Sequence, residues 1–182
     1  MTRASTGGSI RNILVHLDAA DCAATRLRAA RTVARRFGAE VFAQLCIEPS
    51  LESMRLAIAE SPAALFETRA AVALEQARRW FDEPAAGDGA GTWLEPTGAD
   101  PAEAFVRQAR CADLVVMGTL EAAATVGSMS PSGLTEAVLL RSGRPLLLMP
   151  AQVQGWDAAA QVVVVGWNSS SHSTRAVATA LP

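Results

Sequence analysis

A short apolar run that ends in a glycine is the feature that most restricts the fold of this chain. The run, Ala112-Asp113-Leu114-Val115-Val116-Met117-Gly118, is followed by a hydroxyl-rich loop, a helical segment and a second apolar run, Pro145-Leu146-Leu147-Leu148-Met149-Pro150. Both runs are too apolar to be half-exposed, so we interpret them as strands covered on both faces, as in a parallel sheet. Ligands of open parallel sheets bind just beyond the carboxyl ends of the strands, so Gly118 indicates a site.

Size and charge limit the class of protein. The 182 residues fit one domain of ordinary size. Half of the residues are hydrophobic and only 5% are aromatic, so the core consists mostly of Ala, Val and Leu. All 16 basic residues are arginines scattered along helical segments, and the formal net charge is −2. A nucleic-acid-binding protein normally carries a basic stripe, so we expect no nucleic-acid partner.

The cysteines and the apolar runs indicate a cytoplasmic protein. Cys22, Cys46 and Cys111 are widely spaced, which excludes the usual zinc patterns and gives no disulfide framework. We expect them to be free, buried thiols in a reducing compartment. Residues 1–10 are small and polar, which predicts a flexible tail rather than a signal peptide. No apolar run approaches the ~20 residues that cross a bilayer, so we expect no membrane association.

The first half of the chain alternates strands with helices. Residues 13–17 are predicted to form a strand that ends at Asp18, and Val41 to Ile47 a second strand stopped by Pro49. Between them lies a helix that Gly38 ends. Its apolar face is formed by Ala23, Leu27, Ala30, Ala34 and Phe37, and its solvated face by Arg28, Arg31, Arg35 and Arg36. Residues 51–60 are interpreted as a short helix or a lid.

The alternation continues to Pro150. A helix is predicted to start at Ser61-Pro62, with an apolar face of Phe66, Ala70, Ala73, Ala77 and Trp80. Residues 92–95 form a weak strand. The next helix starts with Asp100 as its cap, Pro101 at its first position and Glu103 able to reach back to the cap amide. Its inward residues are Phe105, Val106 and Ala109. Strand 114–117, helix 131–142 ended by Gly143, and strand 146–149 complete the order.

This order predicts an α/β fold with a parallel, doubly wound sheet and right-handed crossovers. If the first strand is central, the first and fourth strands flank the point where the strand order reverses. Asp18 and Gly118 then meet at one crevice.

A partial internal repeat follows residue 150. Residues 151–160 are predicted to be a linker, and residues 161–168 repeat the pattern of residues 12–18. Residues 169–173 supply capping hydroxyls, Ser171 and His172 are interpreted as serving a helix start, and Ala176-Val177 begins an apolar helical face. We therefore predict one domain at 11–150 and the truncated start of a second copy at 161–182.

These residues resemble the universal stress protein family. The resemblance rests on the 112–118 run followed by Glu136-Ala137-Val138-Leu139 and Arg144-Pro145-Leu146-Leu147-Leu148, and it covers residues 12–150, with 161–182 as the opening of a second repeat. It implies a Rossmann-like three-layer sandwich with a five-stranded parallel sheet of order 3-2-1-4-5. It also implies a role in stress response, and a homodimer or a tandem pairing of domains. Some members of the family bind ATP and others do not.

The resemblance also implies a nucleotide site. The nucleotide-binding members use an aspartate after strand one, which Asp18 matches, and a glycine-based loop after strand four, whose first glycine Gly118 matches. The residues carried over to this site are Asp18, Gly118, Thr119, Ser132, Gly133 and Thr135. Glu121 stands where the second loop glycine belongs, and Ser132-Gly133 reverses the usual Gly-Ser pair.

These departures weaken an anion site. Glycines allow backbone amides to approach phosphates. Two like charges about 4 Å apart repel by ~1 kcal/mol in water and ~4 kcal/mol near a protein surface. The sequence thus predicts a degenerate site that holds ATP or AMP weakly or not at all.

The sequence is compatible with three different functions. The first is a non-enzymatic stress-response module with this degenerate site. The second is an ATP-binding protein with slow ATPase activity, and the third is a structural partner of another protein. Asp18 either bonds a ligand hydroxyl or caps the following helix together with Asp21, and His16 is interpreted as packed rather than catalytic. Neither an H-x-G-H motif nor a G-x-G-x-x-G fingerprint is present. Trp156 and Trp167 are candidate subunit contacts.

Overall fold

The computed structural model of the chain describes residues 10–47, 62–83, 91–95, 100–119, 132–152 and 164–180, with the backbone alone for 62–66 and 132. Its elements in chain order are β1 (Asn12–Leu17), α1 (Cys22–Phe37), β2 (Glu40–Leu45), α2 (Pro62–Asp82), β3 (Thr92–Leu94), α3 (Pro101–Ala109), β4 (Leu114–Gly118), α4 (Ser132–Arg141), β5 (Leu146–Met149) and α5 (Ser171–Ala180). The predicted lid at 51–60 and linker at 153–160 lie outside the described residues.

The five strands form one parallel sheet of order β3-β2-β1-β4-β5. This confirms the predicted fold class and strand order. β1 is the central strand, since β2 pairs with one side of it and β4 with the other. It is therefore also the most completely buried strand, and its last five residues are inaccessible to solvent. Val15 pairs with Ala43 of β2 on one side and with Val116 of β4 on the other.

Two apolar layers cover the sheet. On one face, α1 and α2 pack small side chains such as Ala30 and Ala77 against Val15 and Leu17. On the other face, α3 and α4 pack Phe105 and Val138 against residues that include Leu14. Ala and Val predominate in both layers, as the composition predicts. The sandwich of helix, sheet and helix is therefore the expected three-layer arrangement.

The helix ends follow the predicted local chemistry at Asp100 and Gly38 but differ from it at Glu103 and Asp21. The Asp100 carboxylate accepts hydrogen bonds from the amides of Ala102 and Glu103, as predicted. The Glu103 carboxylate pairs with Arg141 instead of returning to the cap amide. Asp21 occupies the cap position of α1 without a side-chain bond. Gly38 ends α1 at a φ of 67°, a left-handed conformation that favours glycine.

Arg31 differs from the prediction that its face of α1 is solvated. Its side chain is buried and donates to the carbonyls of Phe81 and Glu83 at the end of α2. The guanidinium also lies over the Phe81 ring. Arginine can be buried here because the carboxyl end of α2 supplies acceptors and a negative dipole end.

The segment that repeats the first strand is not a strand where the structure describes it. Residues 164–168 pair with no described strand, and Val164 and Trp167 are exposed. A single strand leaves its backbone groups without partners, so an extended segment without a neighbour does not form a ladder. The predicted helix follows as α5, and its cap is Ser170, whose hydroxyl accepts from the Ser173 amide. The second-repeat assignment itself stays a prediction.

Candidate functional site at the carboxyl edge of β1 and β4

The ends of β1 and β4 lie at the same edge of the sheet. The two strands pair in parallel with Val15 opposite Val116, and Asp18 and Thr119 each follow three residues after that pair. The strand order reverses at this point, because β2 and β4 lie on opposite sides of β1. Two segments that are far apart in sequence thus end next to each other, as the sequence predicts.

The carboxylate of Asp18 is already bound by the protein. Its oxygens lie 3.2 and 3.3 Å from Nη2 of Arg26, and Oδ1 also accepts from the amide of Ala20 at 3.1 Å. The residue is only 3% exposed. Asp18 therefore does not cap the amides of α1, and its carboxylate forms a buried ion pair instead. The bond to a ligand hydroxyl stays a prediction.

Arg26 extends this pair into a network. Its Nη1 donates to the backbone oxygen of His16 at 2.8 Å and lies 2.9 Å from His16 Nδ1. The side chain is 1% exposed. Arg26 is not among the residues predicted for this site, although its spacing contains a signal. It lies three residues after Ala23 and four before Ala30, on the buried stripe of α1.

His16 is locked in the neutral state. Its Nε2 lies 3.0 Å from the Cys46 carbonyl, and because that oxygen only accepts, Nε2 carries the proton. Nδ1 then accepts from the donor-only guanidinium of Arg26. The pKa of His16 is lowered to about 4, chiefly by burial and also by the charge of Arg26, while Asp18 and the Cys46 carbonyl act in the opposite direction. The ring also meets Phe105 edge-on. His16 is packed and hydrogen-bonded, as expected, and its lone pair is not free for catalysis.

The other predicted site residues lie on β4 and α4. Gly118 is the last residue of β4, and the amide of the next residue, Thr119, donates to the Met149 carbonyl. Gly133 and Thr135 lie in the first turn of α4, which begins at Ser132. A Cβ on Gly133 would meet no atom within 4 Å, so no close approach requires glycine there. Glu121 lies outside the described residues.

Two buried polar atoms on this side of the sheet lack partners. Oε1 of Gln44 and Oγ1 of Thr119 are inaccessible and accept or donate no hydrogen bond in the described structure. Gln44 is the β2 residue opposite His16. Buried polar groups normally have a hydrogen-bond partner. Each of these two atoms is therefore able to form a further hydrogen bond next to the Asp18 network.

None of the three cysteines forms a disulfide, and their exposure differs. Cys46 is buried as expected, whereas Cys111 is exposed and Cys22 is partly exposed. The Cys22 thiol lies 3.7 Å from Nη2 of Arg26. Among the described residues, no group of three or more His, Cys, Asp or Glu side chains could hold a metal ion. None of the described helices is long and apolar enough to cross a membrane.

At the sequence level the chain matches no protein-family model and no curated protein. Solved structures do match it. The universal stress protein UspA from Lactobacillus plantarum aligns with a TM-score of 0.55 at 20% identity, over 79% of this chain and 99% of that chain. The hypothetical protein MJ0577 aligns with a TM-score of 0.57 at 17% identity, over 80% of this chain and 99% of that one. A universal stress protein solved in complex with cAMP aligns with a TM-score of 0.48 at 21% identity, over 80% and 100%.

The strand order, the two helical layers and the match to UspA show that this chain has the universal stress protein fold. The likeness extends over nearly the whole length of that structure and over about four-fifths of this chain. The low identity explains why sequence comparison alone does not detect it.

Proposed function

We propose that this chain is a universal stress protein that acts as a non-enzymatic binding or regulatory module, with an adenine-nucleotide site that has lost much of its affinity. The fold and the residues of the 112–118 run support the family. The network around Asp18 supports the loss of affinity, independently of the loop that contains Glu121.

The observation that carries this proposal is the buried pair of Asp18 and Arg26. The Asp18 carboxylate is only 3% exposed, and a guanidinium lies within 3.3 Å of both of its oxygens. A ligand hydroxyl that took the place of this guanidinium would separate the buried ion pair. Removing one partner from a buried ion pair costs about 3–5 kcal/mol, because the remaining charge is uncompensated. This cost would reduce affinity by about two to four orders of magnitude.

The state of His16 supports a non-enzymatic role. A general base near this edge needs a lone pair that can reach substrate, and a general acid needs a proton it can release near neutral pH. The Nδ1 lone pair of His16 already accepts from Arg26, and Nε2–H is bound to the Cys46 carbonyl. The imidazole therefore has neither capacity free for a reaction.

Two measurements test the proposal. Mass spectrometry of small molecules released from the purified, denatured protein should detect no stoichiometric nucleotide, and calorimetry with ATP should give at most weak binding. Glu121→Gly should raise ATP affinity, because it removes bulk and negative charge from the loop. Sub-micromolar ATP binding by the unaltered protein would overturn the proposal. ATP turnover that is lost in Asp18→Ala would favour a slow ATPase instead.

The exposed apolar residues near the end of the chain bear on self-association. We expect a homodimer or a tandem pairing of domains, supported by the exposure of Val164 and Trp167 on the segment that resembles a second repeat. Light scattering across a concentration series tests this, and a monomer at all concentrations would contradict it.

We also propose a cytoplasmic location, which fractionation of the cells that express the chain would test.

A further inference from the structure

The opposite edge of the sheet carries a cluster of arginines that the sequence did not group together. Arg110 follows α3, Arg141 ends α4, Arg144 precedes β5 and Arg175 lies on α5. Hydrogen bonds connect these positions: Arg110 donates to the Arg141 carbonyl, Arg144 donates through two nitrogens to the Arg110 carbonyl, and Arg175 donates to the Gly143 carbonyl. All four residues are exposed. We call these four residues the arginine cluster.

The charge of the arginine cluster is largely uncompensated. Within the described residues its only ion pair joins Arg141 to Glu103. The other three guanidinium groups bond carbonyl oxygens. Two of these carbonyls belong to the ends of α3 and α4, and each helix end contributes about half a negative charge. About two positive charges therefore remain. Asp113, in the loop after Arg110, accepts hydrogen bonds from the backbone amides of Arg11 and Asn12 through one carboxylate oxygen.

Hydrogen bonds to carbonyls at helix ends explain why the arginines are held in place. These bonds do not use all of the N–H groups of the guanidinium groups. A guanidinium has five N–H groups in a rigid fork. Arg110 and Arg175 each use one nitrogen, and Arg144 uses two. The remaining N–H groups belong to side chains whose positions are already ordered, so a carboxylate that binds them meets a reduced entropic cost.

Aliphatic side chains border the arginine cluster. Leu139 and Leu140 immediately precede Arg141 on α4 and are 59% and 72% exposed. The inward residues of the same helix, Leu134 and Val138, fill the core. Leu139 and Leu140 thus form a small apolar patch on a second side of α4 that no described element covers, and the exposed Glu136 lies one helical turn before them. Exposed leucines next to positive charge suit a partner that offers both apolar contacts and carboxylates.

We propose that the arginine cluster with Leu139 and Leu140 is a docking surface for an acidic, amphipathic segment of another protein. The leucines favour a protein over a nucleic acid, which needs aromatic stacking or a long basic stripe. The net charge of −2 over the whole chain also opposes a long polyanion but not a short acidic helix. This surface lies at the amino edge of the sheet, away from Asp18, so its test is independent of the nucleotide proposal.

The probe is a fluorescein-labelled synthetic peptide of about 15 residues that places Leu on one helical face and Glu on the other. Fluorescence anisotropy with the full chain should show saturable binding with a Kd below about 1 mM that weakens as salt is raised. A peptide of the same composition in scrambled order, and one with Gln in place of Glu, should each bind at least about tenfold more weakly.

Variants locate the binding surface. Arg175→Glu and Leu140→Ser should each weaken peptide binding by about tenfold or more, while circular dichroism shows a retained fold. Arg28→Glu is the matched control, because Arg28 is exposed on α1 and its guanidinium donates to the neighbouring Thr25 hydroxyl. It should change the Kd by less than about twofold. Equal effects of Arg28→Glu and Arg175→Glu would overturn the proposal.

Three other outcomes would also overturn it. They are the absence of saturable peptide binding, tighter binding of an RNA oligonucleotide of similar length than of the peptide, and self-association that Arg175→Glu abolishes while peptide binding is unchanged. The last result would assign the surface to a second copy of the chain.

Discussion

The guanidinium of Arg26 lies 3.2 Å from the carboxylate of Asp18, and both side chains are almost completely buried. The two residues are only eight positions apart, yet one ends the central strand and the other lies one turn inside α1. Their pairing decides whether the carboxyl edge of β1 offers a free carboxylate. The chain has the universal stress protein fold, but the Asp18 carboxylate at the end of its central strand is bound by Arg26.

Removal of Arg26 alone should destabilise the fold strongly. Arg26→Ala leaves the Asp18 carboxylate buried without its partner, and we expect the free energy of unfolding in urea to fall by about 3–5 kcal/mol. The double variant Asp18→Leu/Arg26→Met removes both charges and should recover most of this loss. If the single and double variants lose the same stability, the ion pair is not the reason for the effect.

His16 should make stability depend on pH. Its folded pKa of about 4 is below its unfolded value of 6.5, so the unfolded chain binds a proton in this interval and the folded chain does not. Stability is therefore full above pH 6.5 and decreases as the pH falls toward 4, by up to about 1.4 kcal/mol per pH unit.

The variant His16→Gln isolates this contribution from the titration of carboxylates. Urea unfolding at a series of pH values should show a smaller loss between pH 6.5 and 4 than in the unaltered chain. Parallel curves for the two proteins would show that His16 is not held neutral by its buried environment.

Two aspartates at helix starts should respond differently to alanine. Asp100 accepts two amide hydrogen bonds at the start of α3, so Asp100→Ala should lower stability by about 0.5–2 kcal/mol. Asp21 holds the cap position of α1 without a side-chain bond. Asp21→Ala should then change stability by less than about 0.5 kcal/mol. Thermal or urea unfolding of the pair measures this, and equal losses would contradict the assigned hydrogen bonds.

Arg31 and Arg28 provide a second matched pair on one helix. Arg31→Ala removes the buried donor to the carbonyls of Phe81 and Glu83, and we expect a loss of about 1–3 kcal/mol from the unsatisfied acceptors. Arg28→Ala removes an exposed side chain that bonds Thr25, and should change stability by less than about 0.5 kcal/mol. A larger loss from Arg28→Ala than from Arg31→Ala would reverse the burial that the structure assigns.

Element order was predictable because it follows local patterns. The apolar runs at 114–117 and 146–149 are both strands, and glycines stand where α1 and α4 end. Only β4 is covered as predicted; β5 is an edge strand whose Leu148 is 43% exposed, because the run cannot show that no further strand lies beside it. The boundaries differ by one or two residues, as for β2, which the structure places at Glu40–Leu45 rather than at 41–47. The repeated pattern predicts a strand at 162–165, and residues 164 and 165, which the structure describes, are not in a strand, because a pattern does not supply the neighbour that a strand needs.

The sequence by itself determined that this chain builds a parallel sheet between helices, with Asp18 and Gly118 at one edge, because strand and helix periodicities are properties of neighbouring residues. Only the tertiary structure decided that Asp18 is bound by Arg26, that Arg31 is buried, and that four arginines from α3, α4, the loop before β5 and α5 lie together. An arginine side chain is long and flexible, so its position depends on which carbonyls and carboxylates other segments bring within reach. An arginine is therefore solvated at one position and part of a buried hydrogen-bond network at another.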